Sequence, residues 1–262
     1  MSRQKTLADR EQYVVKANDL IRKTRYSLTA QQQKIILFAI SKIKPDGDIT
    51  TKYTFDINEL ANACGMRIRD GGSYYDRIKE DLKVLLKREL HLLPDGKEIS
   101  VSWVGDVELS EKDATVSLTF NPNMEVFLFD LKKRYTQYRL QSVLAFRGKY
   151  AIRLYEIMRS YTTQQALEDG RENEATITLD DLKRQLDTST YDRWVDFNRF
   201  ILKPAIEEIN ERAEDIHIDY FPMRGAHVRT IEKINFVITP ARCGQQCRAY
   251  VKRKEKLDHC KL

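Results

Sequence analysis

The sequence predicts an α+β fold built from two copies of one small unit. The pentapeptide SYYDR at residues 73–77 returns 116 positions later (189 minus 73) as STYDR at residues 189–193, and each copy opens an amphipathic helical pattern. Each copy also follows a similar alternating segment, TFDINEL at residues 54–60 and TITLDDL at residues 176–182. A short strand, two helices and a hairpin in this order are the layout of a winged helix. We therefore expect two tandem winged-helix domains related by internal duplication.

The first unit is predicted to begin with a helix that Thr29 caps. Thr29 and Gln32 have the spacing of a capping box, and apolar residues recur through residues 35–43 with the period of a helix. The turn sequence PDGD ends this helix, and the alternation through residues 52–57 then predicts a short strand. Asp56 is placed to cap the next helix.

Two helices and a hairpin complete the first unit. Gly65 is placed to end the short helix, and Ser73 to cap the long helix that follows. The turn sequence PDG lies between the strand-like residues 91–93 and 99–104, which is a strong hairpin signal. Residues 115–120 alternate again and add one more strand.

The segment between the two units is predicted to be a packed connector. Pro122 stands at a permitted first-turn position, and a helix is expected from there through Leu131. The residues that follow, up to about Gly148, are rich in aromatic side chains, which indicates packing against the body of the protein.

The second unit is predicted to repeat the order of the first. Its expected elements are a helix at 150–161, a polar loop at 164–174, a strand at 176–179, a short helix at 182–186, a long helix from Ser189, and a hairpin of strands 216–221 and 230–238. Ser189 and Asp192 have the spacing of a helix cap. Pro204 has no counterpart in the first copy and, because proline lacks a backbone N–H, predicts a kink or restart near Lys203.

These elements divide the chain into five segments. A chain of 262 residues is long enough for two domains that each bury a hydrophobic core. Their expected bounds are 1–26 for a basic N-terminal segment, 27–121 for the first winged-helix domain, 122–147 for a connecting helix and linker, 148–240 for the second winged-helix domain, and 241–262 for a basic tail that contains cysteines.

The positive charge of the chain is concentrated at its two ends. Residues 1–26 carry seven Lys/Arg against three Asp/Glu, and residues 242–262 carry seven against two. Since the whole chain has a net charge of +6, residues 27–241 sum to −3. A polyanion would therefore be bound through local basic stripes, with the ends adding nonspecific attraction to phosphate, unless those ends only aid solubility.

The sequence predicts a cytoplasmic protein with no membrane partner. No apolar run approaches the ~20 residues needed to span a bilayer, and the N-terminus has no apolar core for a signal peptide. Four cysteines are too few for a disulfide scaffold, and Cys64 lies in an apolar helical pattern that places it in the core.

The tail offers a weak candidate for a metal site. Its possible ligands are Cys243, Cys247, His259 and Cys260. The spacing does not match a usual zinc knuckle, and adjacent His and Cys residues would have difficulty reaching one ion, so unpaired tail cysteines are the alternative interpretation.

Catalytic and cofactor signatures are missing from the sequence. There is no GxxxxGK[ST] phosphate loop, and the four histidines form no HxH or HExxH pattern. We therefore expect neither an enzyme nor a bound cofactor.

The long helix of the second unit carries the strongest candidates for base recognition. In a helix-turn-helix reader the second helix lies in the major groove and its first turns reach the base edges. The candidates here are Arg193, Asp196, Asn198, Arg199 and Lys203. In a regular helix Asp192, Asp196, Arg199 and Lys203 would form one stripe. Arginine suits guanine, asparagine suits adenine, and lysine suits guanine or phosphate.

The first unit and the hairpin tips supply further candidates. The long helix of the first unit offers Arg77, Lys79, Lys83 and Lys87, a lysine-rich set suited to phosphate contacts. The second hairpin offers Arg224, His227 and Arg229 for the DNA backbone or minor groove. The alternative is that these stripes are only solvated faces.

Aromatic residues at the starts of the two long helices have two interpretations. Tyr74, Tyr75 and Tyr191 either pack beneath the helix start or donate their hydroxyls to phosphate. Trp194 is expected to be a core residue, and Phe200 occupies the position that matches Val84 of the first copy.

Three segments give the chain a resemblance to a known family. They are NDLI at 18–21 with Leu28-Thr29 and the helix after it, RLYEI at 153–157, and the segment from Phe197 through KPAIEEIN at 203–210. On these segments the chain resembles the plasmid-encoded initiator Rep proteins, the iteron-binding initiators of theta-replicating plasmids. The resemblance covers roughly residues 14–238.

The resemblance implies tandem winged-helix domains that bind DNA at a replication origin. A monomer would bind directly repeated double-stranded DNA sites at a replication origin, and residues 193–203 would be the base-reading helix. A dimer, joined through the first domain, would repress the protein's own promoter at an inverted repeat. The DNA-bound protein would help an AT-rich region open and would recruit host replication proteins such as a helicase or host initiator.

Two other functions are compatible with the same predicted fold. A transcriptional repressor would bind a palindromic operator as a stable dimer. An interaction module would use its wings to bind protein and would show weak, salt-sensitive DNA binding without sequence preference.

Overall fold

The computed structural model describes residues 13–44, 47–66, 73–92, 99–129, 131–225 and 230–241. The first unit contains β1 (Tyr13–Ala17), α1 (Asn18–Arg22), β2 (Thr24–Arg25), α2 (Ala30–Ser41), β3 (Tyr53–Asp56), α3 (Ile57–Ala63), α4 (Ser73–Lys87), β4 (Glu89–Leu92), β5 (Ile99–Ser102), β6 (Val104–Ser110) and β7 (Thr115–Phe120). The connector and the second unit contain a 3₁₀ turn (Pro122–Met124), α5 (Glu125–Leu128), β8 (Tyr135–Arg139), α6 (Leu140–Leu144), α7 (Lys149–Arg159), α8 (Gln164–Glu168), β9 (Asn173–Thr178), α9 (Leu179–Gln185), α10 (Trp194–Phe197), a π turn (Asn198–Leu202), α11 (Lys203–Arg212), β10 (Ile216–Arg224) and β11 (Ile231–Pro240).

The strands of the described ranges pair in four antiparallel sheets. The first unit has a sheet in the order β3-β7-β6 and another in the order β2-β4-β5. The second unit has a sheet in the order β10-β11-β9, and β1 pairs with β8. In each unit a helix, a strand, two further helices and a hairpin follow one another, which confirms the predicted fold of tandem winged helices.

Several predicted helix ends are confirmed by their hydrogen bonds. The Thr29 hydroxyl accepts from the Gln32 N–H at 3.2 Å, and the Gln32 amide oxygen accepts from the Thr29 N–H at 3.1 Å, so the capping box is complete. Asp56 caps α3 by accepting from the Glu59 N–H at 3.0 Å. Gly65 follows α3 with a φ of +71°, a conformation that glycine adopts without strain.

The connecting helix is shorter than the sequence predicted. Pro122 begins a helical turn as expected, but α5 ends at Leu128, because Phe129 is extended with φ −117° and ψ 156°. Leu128 and Phe129 are buried, so their side chains join the core, as the prediction of a packed connector requires. The chain then returns as β8 beside β1, a pairing that the sequence did not predict because the two strands are far apart in the chain.

Two other predicted segments differ in detail. The strand expected at 99–104 is interrupted at Trp103, whose buried ring meets the edge of Tyr26 at a centroid distance of 5.2 Å. The polar loop expected at 164–174 contains the short helix α8. Thr163 caps this helix by accepting a hydrogen bond from the Ala166 N–H at 3.1 Å.

Residues 13–25, which the sequence analysis assigned to a basic N-terminal segment, are part of the folded body. They form β1, α1 and β2, and their apolar side chains Val14, Leu20 and Ile21 are buried in the core. The core continues from these residues through both units, and the buried side chains of α2 and α7 belong to it.

The first helices of the two units are linked by polar contacts as well as apolar packing. From α2, the Lys34 ammonium donates to the Leu144 carbonyl at 2.8 Å, and the Gln33 amide donates to the Lys149 carbonyl at 3.1 Å. Burial lowers the pKa of Lys34. The backbone at the start of the second unit is therefore bonded directly to the first helix of the first unit.

A buried ionic network joins β1 to α7. Lys16 of β1 forms an ion pair with Glu156 of α7, both side chains are buried, and the Tyr138 hydroxyl donates to the same carboxylate oxygen. Arg153, one turn earlier on α7, donates to the Ile21 carbonyl at 2.6 Å. Burial lowers the pKa of Lys16, and the Glu156 carboxylate partly offsets this effect.

The substitution Glu156→Gln tests this network. It leaves the buried Lys16 charge without its counter-ion, so we expect a loss of about 3–5 kcal/mol in the free energy of unfolding at pH 7. Without the carboxylate, the folded protein holds the Lys16 proton less tightly than the unfolded chain does. The stability of the variant should therefore rise as the pH rises toward ~10.4, the ordinary lysine pKa. Urea unfolding at pH 7 and at pH 10 measures both effects.

The double variant Lys16→Met, Glu156→Gln is the matched control. It removes both charges, and we expect it to recover most of the lost stability because no unpaired charge remains buried. A double variant as unstable as Glu156→Gln, or a loss that is equal at both pH values, would contradict the role given to the ion pair.

Candidate nucleic-acid interface

The predicted recognition helix of the second unit is formed by α10, the π turn and α11, and it begins later than the sequence predicted. Ser189 and Asp192 do not cap it, because residues 188–191 form a turn closed by a hydrogen bond of 3.0 Å. Arg193 is extended, with φ −81° and ψ 131°, and stands at the N-cap immediately before Trp194. Asp192 therefore lies outside the helix.

The helix is disrupted near Lys203, as predicted, and the disruption is a π turn. The Lys203 N–H donates to the carbonyl oxygen of Asn198, five residues earlier, instead of four. The next residue, Pro204, has no N–H to donate to the Phe200 carbonyl, so the regular hydrogen-bond ladder is already broken at this point. The helix widens through one turn and continues as α11.

The π turn changes which side chains share a face. A π turn closes a larger ring than an α turn and rotates less per residue, so side chains four residues apart are brought nearly into line. Val195, Arg199 and Lys203 are all exposed and form the outermost row, whereas Phe197 and Ile201 are buried on the opposite side. We call Val195, Arg199 and Lys203 the outer row.

The single stripe predicted from Asp192 to Lys203 does not form. That stripe assumed a regular α-helix, but Asp192 precedes the helix and the π turn shifts the later residues around the axis. Asp196 is only partly exposed and lies near Arg193, so it is not counted in the outer row.

Two exposed apolar side chains on this helix were not among the predicted site residues. Val195 is 59% exposed and Phe200 is 54% exposed. The Arg199 guanidinium lies over the Phe200 ring at 5.2 Å from its centroid, within the range of a cation–π contact. The sequence signal was ambiguous, because Phe200 matches Val84, which is only half-buried in the first unit.

The charged residues of the helix are paired only weakly with one another. The Arg193 side chain, 77% exposed, lies 3.7 Å from the Asp196 carboxylate, and Lys203 lies 3.8 Å from Glu207. Exposed pairs of this kind contribute little to stability. Both cations can therefore exchange these partners for DNA phosphate or base edges at small cost.

Asn198 is tied to the wing of the second unit. The Tyr220 hydroxyl on β10 donates to the Asn198 amide oxygen at 2.8 Å, and burial raises the pKa of Tyr220. The bond directs Asn198 toward β10 and joins the recognition helix to the hairpin. The structure thus separates Asn198 from the outer row.

The wing of the second unit is the hairpin of β10 and β11. Arg224 is exposed near its tip, where the pairing shifts between Met223 and Arg224. The other two predicted wing residues, His227 and Arg229, lie outside the described residues.

The long helix α4 carries the predicted cations of the first unit. They are Arg77, Lys79, Lys83 and Lys87, of which Lys79 is partly buried and the others are exposed. Lys79 lies 3.7 Å from Glu111, and Lys83 lies 2.7 Å from Glu80. The hydrogen bond from Lys83 lowers the pKa of Glu80. Acidic neighbours thus reduce the local positive potential of this helix.

Polar contacts position α4 on α2. The Asp81 carboxylate accepts from the Gln31 amide at 2.6 Å and from the Gln32 amide at 2.9 Å, and burial raises the pKa of Asp81. The matching position in the second unit is Phe197, which is fully buried. The two units therefore use different chemistry to fix their long helices.

The aromatic residues at the helix starts contribute to packing. Tyr74, Tyr75, Tyr191 and Trp194 are partly buried and lie against the core. The Tyr74 hydroxyl donates to the Asn58 amide oxygen at 2.7 Å, so it is engaged within the protein. This arrangement favours the packing interpretation over phosphate contacts.

In the part of the chain that the structure describes, no helix is long and apolar enough to cross a membrane. Within the same ranges, no group of three or more His, Cys, Asp or Glu side chains could hold a metal ion. The candidate metal ligands Cys243, Cys247, His259 and Cys260 lie outside those ranges.

The chain is similar to a curated protein in sequence and to a solved structure in fold. A replication initiation protein of Escherichia coli is 27% identical over 208 residues, which are 76% of this chain and 62% of that protein, so the chain spans less than two thirds of its length. The crystal structure of the Pi initiator protein in complex with iteron DNA matches with a TM-score of 0.71 at 18% identity, over 88% of this chain and 98% of that one. The second match shows a shared fold.

Two family models match the chain, one over each winged helix and in the same order. Residues 13–159 match the family described as "Initiator Replication protein, WH1", and residues 178–238 match "Initiator Rep protein, WH2". Since the first match alone covers more than half of the sequence, the chain belongs to the initiator Rep protein family.

Proposed function

We propose that this protein initiates plasmid replication by binding double-stranded DNA in a sequence-specific way at directly repeated origin sites, the iterons. The observation that carries the proposal is the outer row of the recognition helix, which presents Arg199 and Lys203 to solvent in a member of the initiator Rep family. A helix with exposed cations and a buried opposite face fits the major groove, which is about 12 Å wide.

Each part of the second unit has a separate task in this proposal. Arg193 and Arg199 contact guanine O6 and N7, and Lys203 contacts guanine or phosphate. Asp196 pairs with Arg193 in the free protein, and DNA takes the place of Asp196 on binding. Asn198 keeps the helix attached to β10. Arg224, together with His227 and Arg229, contacts the backbone or minor groove beside the wing.

The first unit positions the protein on the same duplex. Arg77, Lys79, Lys83 and Lys87 of α4 contact phosphates, so that two winged helices grip successive major grooves. Binding at both grooves bends or strains the duplex, and this strain helps an adjacent AT-rich region to open.

The remaining parts of the proposal rest on the family. The DNA-bound monomer recruits host replication proteins such as a helicase or host initiator. A dimer joined through the first unit represses the protein's own gene at an inverted repeat. The protein acts in the bacterial cytoplasm, without catalytic activity and without a cofactor.

Selection of bound duplexes from a random DNA pool at near-physiological salt tests the proposed function. We expect a non-palindromic motif of about two helical turns, one groove for each unit, and direct repeats of that motif beside the gene. A palindrome alone would support a dimeric repressor instead. A pool with no enriched motif would contradict sequence-specific binding.

The substitution Arg199→Ala tests base reading by the outer row. We expect affinity for the selected site to fall by about 1–3 kcal/mol, with relaxed preference at one base position, because a guanine loses its bidentate partner. Binding curves on the selected site and on random DNA measure both effects. Equal losses on the two DNAs would assign Arg199 to phosphate contacts.

Arg171→Ala is a suitable control for this measurement. Arg171 is an exposed arginine paired with Asp169 at 2.8 Å, just before β9 begins. Asn173, at the start of β9, pairs with Ile238, whereas the wing tip lies near Ile231 at the other end of β11. The variant removes one charge far from the wing and should leave site choice unchanged.

Lys87→Ala and Arg224→Ala test the phosphate contacts. We expect each to weaken binding about equally on specific and random DNA and to reduce the slope of log K against log salt by about 1, because one fewer counterion is released. Titrations at several salt concentrations measure the slope. An unchanged slope for either variant would remove that residue from the proposed interface.

A further inference from the structure

We propose that Val195 and Phe200 read thymine by packing against its 5-methyl group in the major groove. This inference rests on the proposed function and adds two residues that determine which bases the recognition helix prefers. The expected ligand is a duplex with thymine at the positions that face these two side chains.

The first observation is the exposure of two large apolar side chains on the outward face of the proposed recognition helix. Val195 and Phe200 are 59% and 54% exposed, although the same helix buries Phe197, Ile201 and Leu202 on its opposite side. An amphipathic helix that only packed on its core would place polar side chains at these outward positions.

The second observation is that the two apolar side chains lie beside exposed cations of the same helix. Val195 belongs to the outer row with Arg199 and Lys203, and the Arg199 guanidinium lies over the Phe200 ring at 5.2 Å from its centroid. Arg193, 77% exposed, stands just before the first turn of the helix. Arg193 and Lys203 are paired only weakly, with Asp196 and Glu207, so a negative partner that also offers small apolar groups can replace these carboxylates.

Double-stranded DNA has both properties at thymine. The phosphates satisfy the cations, and the thymine methyl is the apolar group that projects into the major groove. A second protein chain with apolar side chains could also cover Val195 and Phe200, but its binding would not depend on single methyl groups of DNA. The charge of the surrounding residues favours DNA as the partner.

The arginine next to Phe200 strengthens this assignment. A guanidinium that lies on an aromatic ring loses part of its conformational freedom before DNA arrives. Arg199 can then donate to a guanine while Phe200 contacts a neighbouring thymine. The pair would thus read two adjacent base positions together.

Replacement of thymine by deoxyuridine tests the proposal, because it removes the methyl and leaves base pairing unchanged. Each thymine of the selected site is replaced in turn, and the affinity of the full chain is measured by fluorescence anisotropy. For the wild type we expect one or two positions at which uracil weakens binding about fourfold, the effect of one buried methyl at about 0.8 kcal/mol. In Val195→Ala or Phe200→Ala the loss at the matching position should fall below about twofold.

Two controls separate a base contact from a general effect on the protein. Val126→Ala removes a valine that is 70% exposed on α5, and it should keep the full uracil effect at every position. Phe200→Leu keeps an apolar side chain and should keep part of the effect. Thermal unfolding of each variant should match the wild type, since both side chains are exposed.

The outcomes distinguish this inference from the proposed function. Thymine reading would be overturned if the selected site contained no thymine or if uracil had no effect at any position. It would also be overturned if the uracil effect were the same in the wild type and the variants. Each of these results would leave sequence-specific binding intact. A pool without any enriched motif would overturn both.

Discussion

The relation between the two winged helices depends on the buried ion pair of Lys16 and Glu156. It joins β1, at the start of the chain, to α7, the first helix of the second unit, and Tyr138 and Arg153 extend it. A charge removed from water requires its partner, so β1 cannot slide or separate from α7 without a large loss of free energy. The two helices proposed to face DNA are therefore held in a defined relation and are not independent modules on a linker.

Local signals in the sequence were sufficient for much of this fold. The duplicated motifs, the Thr29 capping box and the hairpin of β10 and β11 each depend on residues close together in the chain, where spacing determines geometry. The pairing of β1 with β8 could not be predicted in this way. It joins distant segments, and β1 is too short and too mixed in composition to suggest a partner.

In the candidate site, too, the sequence predicted features set by nearby residues but not those set by tertiary packing. Arg193, Arg199 and Lys203 are exposed, as expected from their place in an amphipathic helix. Their arrangement was not predictable, because Pro204 indicated a break but not its form as a π turn. The bond between Tyr220 and Asn198 depends on how β10 packs against the helix, which no sequence pattern reveals.

The π turn also affects how a protein of this kind could acquire a new DNA site during evolution. Such a turn is equivalent to an α-helix with one residue inserted, so loss of a single residue between Asn198 and Leu202 would remove the wide turn. The first turn would then rotate by about 100° relative to α11, whose buried residues would remain packed. Single-residue insertions and deletions could therefore redirect the side chains proposed to face the bases in one step, provided that the core repacks around the buried Phe197 of that turn.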